Sequence, residues 1–285
     1  MGAHPQLVAF ARVANGTQPP QRIVAGQTTK LTRTTHGVEY DHVRDEMILP
    51  APQADAILIY RGGAIGEEPP IRVIQGPKVG RLASQIAIDP VHGEIFMPGN
   101  AIKVFPTAAN GDVAPIRVIE GPNTRIEGGT RGIAIDPVHN LIAMTSGATS
   151  GGREEGSREE TTPVKIVFFN RTDSGNVAPV GEIIIPNIPG GRAGRIHQLQ
   201  FYPPRELIIA AIPGGDRSWE RGFDPFIGVW SIHDRGAVPP RWKIGGKNAT
   251  LLRPRGVALM PRSREIVVAD MRQNALLTFF FPEIF

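Results

Sequence analysis

Cysteine is absent from the 285 residues, which excludes disulfide frameworks, thiolate zinc sites and cysteine nucleophiles. Aromatic residues are scarce at 6%, leaving little surface on which nucleobases could stack. No apolar run approaches the roughly 18 residues of a membrane helix. Residues 1–12 lack the basic start and apolar stretch of a secretory signal. No membrane partner is therefore expected, and a secreted or periplasmic location would require residues upstream of Met1. Nucleotide and hydrolase signatures are missing as well: the chain contains neither G-x-S-x-G nor a Walker or Rossmann glycine pattern.

Glycine and proline, by contrast, are abundant. The 33 glycines and 27 prolines make up about 21% of the chain against a background near 12%. They follow no collagen period and punctuate short apolar runs, which points to turns between many short strands. With 41% hydrophobic and 20% charged residues, a sizeable core is available and wholesale disorder is excluded. Lys and Arg number 31 against 27 Asp and Glu, a net charge of +4.

The strongest signal is self-similarity. Gln85-Ile86-Ala87-Ile88-Asp89-Pro90-Val91-His92 returns 47 positions later as Gly132-Ile133-Ala134-Ile135-Asp136-Pro137-Val138-His139. The same slot is filled by residues 37–41, 198–203 and 256–261, the later copies spaced more widely by insertions. Five copies of a period in the forty-to-fifty range indicate a propeller or a solenoid, one structural unit per copy. Each copy holds four short strands. The slot is the first; the second runs through residues 46–49, 94–97, 141–144, 207–210 and 265–268. Third strands fall at 57–60, 102–105, 166–169, 227–230 and 276–279, and fourth strands at 71–74, 116–119, 182–185 and 241–244. β-branched strands without helical periodicity predict an all-β fold, a β-propeller of four-stranded blades. Solenoid repeats are usually shorter.

Ile266-Val267-Val268-Ala269-Asp270, followed by Asn274 and the strand through Phe279, resembles the NHL repeat, and the resemblance extends from Leu7 to Phe285. It implies one NHL-like propeller domain, 1–285, related to the gluconolactonase-like six-bladed propellers. It implies little about activity, since such folds carry binders and enzymes alike. Blade counting leaves two arrangements. Residues 7–10 match a third strand and 22–25 a fourth, whereas the C-terminal copy has three strands. Either the N-terminal fourth strand completes the C-terminal three and five blades close, or the two strands belong to a further blade. The second arrangement, of six-bladed ancestry and N-terminally incomplete, is the one expected.

The resemblance also assigns faces. First strands would line a central channel, with the loops entering them at its mouth. The residue before each inner strand then forms a ring: His36, Ser84, Arg131, His197 and Arg255. Arginine forks suit carboxylate or phosphate; the alternative is that these side chains satisfy loop carbonyls. The entering loops, 27–36, 77–84, 122–131, 187–197 and 246–255, carry eleven basic residues and one acid, Glu127, while Glu67, Glu68, Asp112, Asp173 and Asp234 are assigned to the far turns. Such polarity would concentrate anions at one face. Two long insertions, 148–163 and 213–226, fall on that face, the second presenting Trp219 to a sugar or planar ligand or to the blade beneath.

Metal signals are weaker. Asp89-Pro-Val-His92 and Asp136-Pro-Val-His139 repeat as hairpin turns, which favours structure over ligation. NHL-like amidating lyases hold zinc through histidines at the channel mouth, but His36 and His197 are only two. A lactonase-type calcium site would want inward acids and amides, and only Glu39 and Gln200 occupy such slots, against Ala87, Ala134 and Ala258. No cofactor is expected. The reading is therefore a ligand- or protein-binding propeller with a basic channel face for an anionic small molecule, glycan or peptide carboxylate. Its binding residues would be His36, Ser84, Arg131, His197, Arg255 and Trp219. Nucleic acid is a poor fit because few exposed aromatics beyond Trp219 are expected beside those cations. A metal-assisted lyase or lactonase is the alternative.

Overall fold

The computed structural model describes residues 5–33, 35–127, 132–146, 164–185, 196–213 and 224–285. Among the described residues twenty-two strands follow one another. An N-terminal pair, β1 (Gln6–Ala9) and β2 (Arg22–Ala25), precedes β3 (Glu39–Asp41), β4 (Glu46–Ala51), β5 (Ala56–Arg61) and β6 (Arg72–Gln75). The next blade is β7 (Ala87–Asp89), β8 (Glu94–Met97), β9 (Ile102–Pro106) and β10 (Arg117–Ile119). The third is β11 (Ile133–Asp136), β12 (Leu141–Ser146), β13 (Val164–Asn170) and β14 (Gly181–Ile185). The fourth is β15 (Gln198–Tyr202), β16 (Leu207–Ile212), β17 (Phe226–Ser231) and β19 (Trp242–Gly245), with the two-residue β18 (Gly236–Ala237) on its connection. The last is β20 (Pro254–Met260), β21 (Glu265–Asp270) and β22 (Ala275–Phe280).

Strands within each sheet are ordered as in the chain. The fold is an all-β propeller with five blades opened by β3, β7, β11, β15 and β20. Among the described residues, β1 and β2 pair with each other and the C-terminal sheet has three strands. The sequence left five and six blades open; five are described, and β1 and β2 form a separate two-stranded sheet.

The chain divides into two compact units: residues 1–97 with 104–116, and 98–103 with 117–285. In the first, one face of β3–β6 joins Ile48, Ile59 and Ile74 to Ile86, Ile88 and Ile95, while the other packs Leu49, Leu58 and Tyr60 against Val24. In the second, Phe168, Phe201 and Trp230 anchor one core, and Ile227, Val257 and Ile266 lie in another. Interior strands bury both faces, so their sequences are continuous apolar runs rather than alternating ones.

A repeated clip joins consecutive blades. Five residues beyond a third strand, a glycine in left-handed geometry lies alongside the preceding blade's fourth strand. The pairs are Val24 with Gly66 and Ile74 with Gly111 in the first unit, and Ile119 with Gly175 and Ile183 with Gly236 in the second. Gly111 N–H donates to Val73 C=O at 2.7 Å and its carbonyl accepts from Gln75 N–H at 3.1 Å. These glycines have φ between 65° and 78°, a region that a side chain penalises.

Candidate ligand-binding face

Four of the loops leaving fourth strands lie among the described residues and are built the same way. Gly26, Gly76, Gly121 and Gly246 present a carbonyl to the N–H three residues on, at 3.1–3.3 Å. Lys30, Arg125 and Thr250 then take φ of 54–56°. This tight turn holds the following cations outward: Lys30, Arg33, Lys78 and Arg81 are exposed in the first unit, Arg125 and Lys247 in the second. Arg192 and Arg195 lie outside the described residues.

The expected charge polarity is corrected at the foot of these loops. Glu67 and Asp112, assigned from sequence to the opposite face, lie against them. Asp112 Oδ1 accepts the Lys78 N–H at 2.8 Å. A Cβ at Gly26 would fall 2.4 Å from the Glu67 carboxyl carbon, and one at Gly76 equally close to that of Asp112. In the second unit Asn176 replaces the acid, its Oδ1 accepting Asn123 N–H at 2.8 Å. The physical reason is the clip, which carries the connection beyond the far turn along the neighbouring fourth strand. Glu68, Asp173 and Asp234 do stay with the turns: Glu68 pairs with Arg61 and Asp234 with Arg241, at 2.8 and 2.7 Å, and Asp173 accepts Asn170 N–H.

The ring residues meet through carbonyls. In the first unit, exposed His36 donates its backbone N–H to Ser84 C=O at 3.0 Å. In the second, His197 is buried and its Nδ1 donates to Arg255 C=O at 3.0 Å. That carbonyl belongs to a bulge, because the β20–β21 register slips between Pro254 and Gly256. A bulged residue leaves the ladder, so its carbonyl needs another donor, which His197 supplies. Gln198 Oε1 accepts Val257 N–H at 2.7 Å, a second strap between these inner strands that the sequence reading missed. Arg131 and Trp219 lie outside the described residues.

Glu39 faces Ile48 across the β3–β4 ladder, on the sheet face that enters the isoleucine core. Burial pushes its carboxyl up to about 8. An acid in a first strand was visible in the sequence, but its desolvation depends on isoleucines distant in the chain.

Asp89 and Asp136 are structural. Both are fully buried. Each Oδ1 accepts two backbone N–H groups of its hairpin, and Oδ2 meets His92 or His139 Nδ1 at 2.7 Å. Among the described residues, no group of three or more His, Asp or Glu is placed to hold a metal, and no helix is long and apolar enough to cross a membrane.

No protein-family model matches the chain, and no curated protein matches it. Solved structures do. A chain from the crystal structure of a nidogen/laminin complex superposes with a TM-score of 0.56 at 13% identity, covering 97% of this chain and 91% of its own. A chain of Kuenenia stuttgartiensis hydrazine synthase gives 0.58 at 14% identity, covering 92% and 67%. At such identities the likeness is one of fold, and that fold is the β-propeller.

Proposed function

We propose that this chain is a binding propeller of the NHL type, whose basic inter-blade loops take an anionic ligand: a small molecule, a glycan or a peptide carboxylate. The observation that carries the reading is the shared loop geometry that holds Lys30, Arg33, Lys78 and Arg81 in solvent within the first unit. Arg125 and Lys247 do the same in the second. Cations displayed by equivalent turns attract an anion without desolvation before contact. Glu67 and Asp112 stand at the loop bases and lower the field there most. A protein partner is compatible with this reading, and one structural relative was solved in a nidogen/laminin complex.

The test is titration of an acidic peptide and of a heparin-derived oligosaccharide at several salt concentrations. Affinity should fall steeply between low and physiological ionic strength. It should be lost in Lys30→Glu/Arg33→Glu/Lys78→Glu/Arg81→Glu. Binding indifferent to salt and to the quadruple change would overturn the reading. The lyase or lactonase alternative has less support, since His197 Nδ1 is committed to a carbonyl and the inner-strand slots are mainly alanine. Stoichiometric zinc, calcium or manganese in metal-supplemented protein would revive it.

A further inference from the structure

Glu39 is an acid to which the first unit supplies no partner. It opens β3, the first strand of its blade, three residues after His36. On its sheet face β4 presents Ile48, and the next blade turns Ile86 and Ile88 into the same core. None of these side chains can donate a hydrogen bond. Among the described residues no cation or N–H reaches the carboxyl, and burial alone accounts for its rise to about 8. The side chain is half-buried rather than sealed, so a ligand can reach it.

The other acids of these two blades' inner strands are engaged. Asp41 accepts the N–H groups of Val43 and Arg44 and pairs with the Arg44 guanidinium at 2.9 Å. Glu46 holds Arg72, and Asp89 holds its own hairpin and His92. Glu94, opposite Asp89, has a partner of its own. All four stand at the hairpin ends of their strands. Glu39 stands at the other end, where loops 27–36 and 77–84 lead into β3 and β7.

Those loops meet above it. His36 N–H donates to Ser84 C=O at 3.0 Å, and a Cβ on Gly37 would lie 3.5 Å from Gln85 Cα. The cations that the loops display, Lys30, Arg33, Lys78 and Arg81, are exposed. An extended chain rises about 3.3 Å per residue, which puts Glu39 about 10 Å along the strand from His36. A desolvated carboxyl without a partner keeps its proton, and a protonated carboxyl donates a hydrogen bond. It therefore welcomes an anionic oxygen that a carboxylate would repel. A carboxylate suits that donor better than a sulfate, because it is the more basic acceptor and two carboxyl groups in contact share one proton.

We propose that Glu39 is a ligand-contact residue that donates its carboxyl O–H to a carboxylate of the anion held by the first-unit loops, so that binding is coupled to a proton. The inference rests on the reading of those loops as an anion site and specifies the ligand as an extended acidic peptide. Cations at the loops and a donor about 10 Å along the strand need carboxylates in series, which one small anion does not offer.

The test uses the full chain and fluorescent hexaglutamate, followed by anisotropy between pH 6.5 and 9, with circular dichroism confirming the fold of each protein. Affinity should fall about tenfold from pH 7 to 9, as Glu39 of the free chain loses its proton near 8. Glu39→Gln keeps a donor and should bind at pH 7 like the native chain, losing less than about twofold by pH 9. Glu39→Ala should bind about tenfold more weakly at pH 7. His36→Gln should keep the native slope, and a sulfated dextran fragment should show no slope that depends on Glu39. Hexaglutamate binding that is independent of pH, or equally steep in Glu39→Gln, would overturn the proposal and leave the basic loops as the site. Equal dependence on Glu39 for the sulfated dextran would overturn the carboxylate. Binding of neither probe would overturn the loop reading together with this one.

Discussion

The fourth blade and the C-terminal sheet are built on one register yet are buried differently. In β16 and β17 every residue is buried. In β21 buried positions alternate with half-buried ones, and in β22 half-buried with exposed. Both third strands are apolar, so composition does not explain the contrast. A strand becomes a core strand when sheets cover both its faces. Identical registers therefore carry unequal shares of stability.

The largest expected effect breaks the better-covered side. Ile227, fully buried, faces Ala211 in the middle of the fourth blade. Ile227→Ala should cost about 2–5 kcal/mol in denaturant unfolding, the range for a buried branched side chain that leaves a cavity. A loss below about 1 kcal/mol would mean that the two blades share their load more evenly than burial indicates.

Next comes Asp270, at the end of β21, where the fourth blade has Ile212. Burial works to raise its pKa, but backbone N–H groups of Arg253, Leu252 and Gln273 outweigh it, and the net shift is downward. Leu252 and Arg253 N–H reach Oδ2 at 2.8 and 2.9 Å. A carboxyl lowered in the fold stabilises above its unfolded pKa, and the contribution disappears as pH falls through the folded value. Asp270→Ala should cost about 2 kcal/mol at pH 7 by leaving those donors unpaired. It should also flatten the acid limb of the stability profile, which urea titrations between pH 2 and 6 would record.

Glu39 has the opposite sign. Its carboxyl is raised from 4.5 to about 8, so the folded chain holds a proton that the unfolded chain releases. The contribution is complete below pH 4.5 and is lost as pH rises toward 8. Glu39→Gln should stabilise the first unit by about 1–2 kcal/mol at pH 8, less than the full shift because the side chain keeps some solvent. Near pH 4 it should change little. Melting curves across that window decide it, and equal effects at both ends would remove the desolvated acid.

The strands were legible because Gly and Pro separate β-branched runs in a recurring pattern, and outside the three-stranded C-terminal sheet each third strand meets its fourth where the repeats place it. The hairpin role of Asp89 and Asp136 was legible for the same reason. The foot of the basic loops was not. Whether Glu67 and Asp112 stay at their turn or climb the neighbouring blade is decided by the clip glycines, whose partners lie about forty residues away in the sequence. His197 shows the other limit: its place before a first strand could be read, but the bulge at Arg255 that claims its Nδ1 depends on a slip in register.

The smallest effect completes the comparison. Leu276 occupies in β22 the register position of Ile227 in β17, facing Ala269 as Ile227 faces Ala211. Its 57% exposure means that truncation removes few packed atoms and opens no cavity. Leu276→Ala should therefore shift stability by no more than about 0.5 kcal/mol, as surface positions do. Denaturant unfolding of this variant beside Ile227→Ala checks it. If the unfolding cost approaches that of Ile227→Ala, the outer face of the C-terminal sheet is covered in solution and the contrast between the two sheets fails.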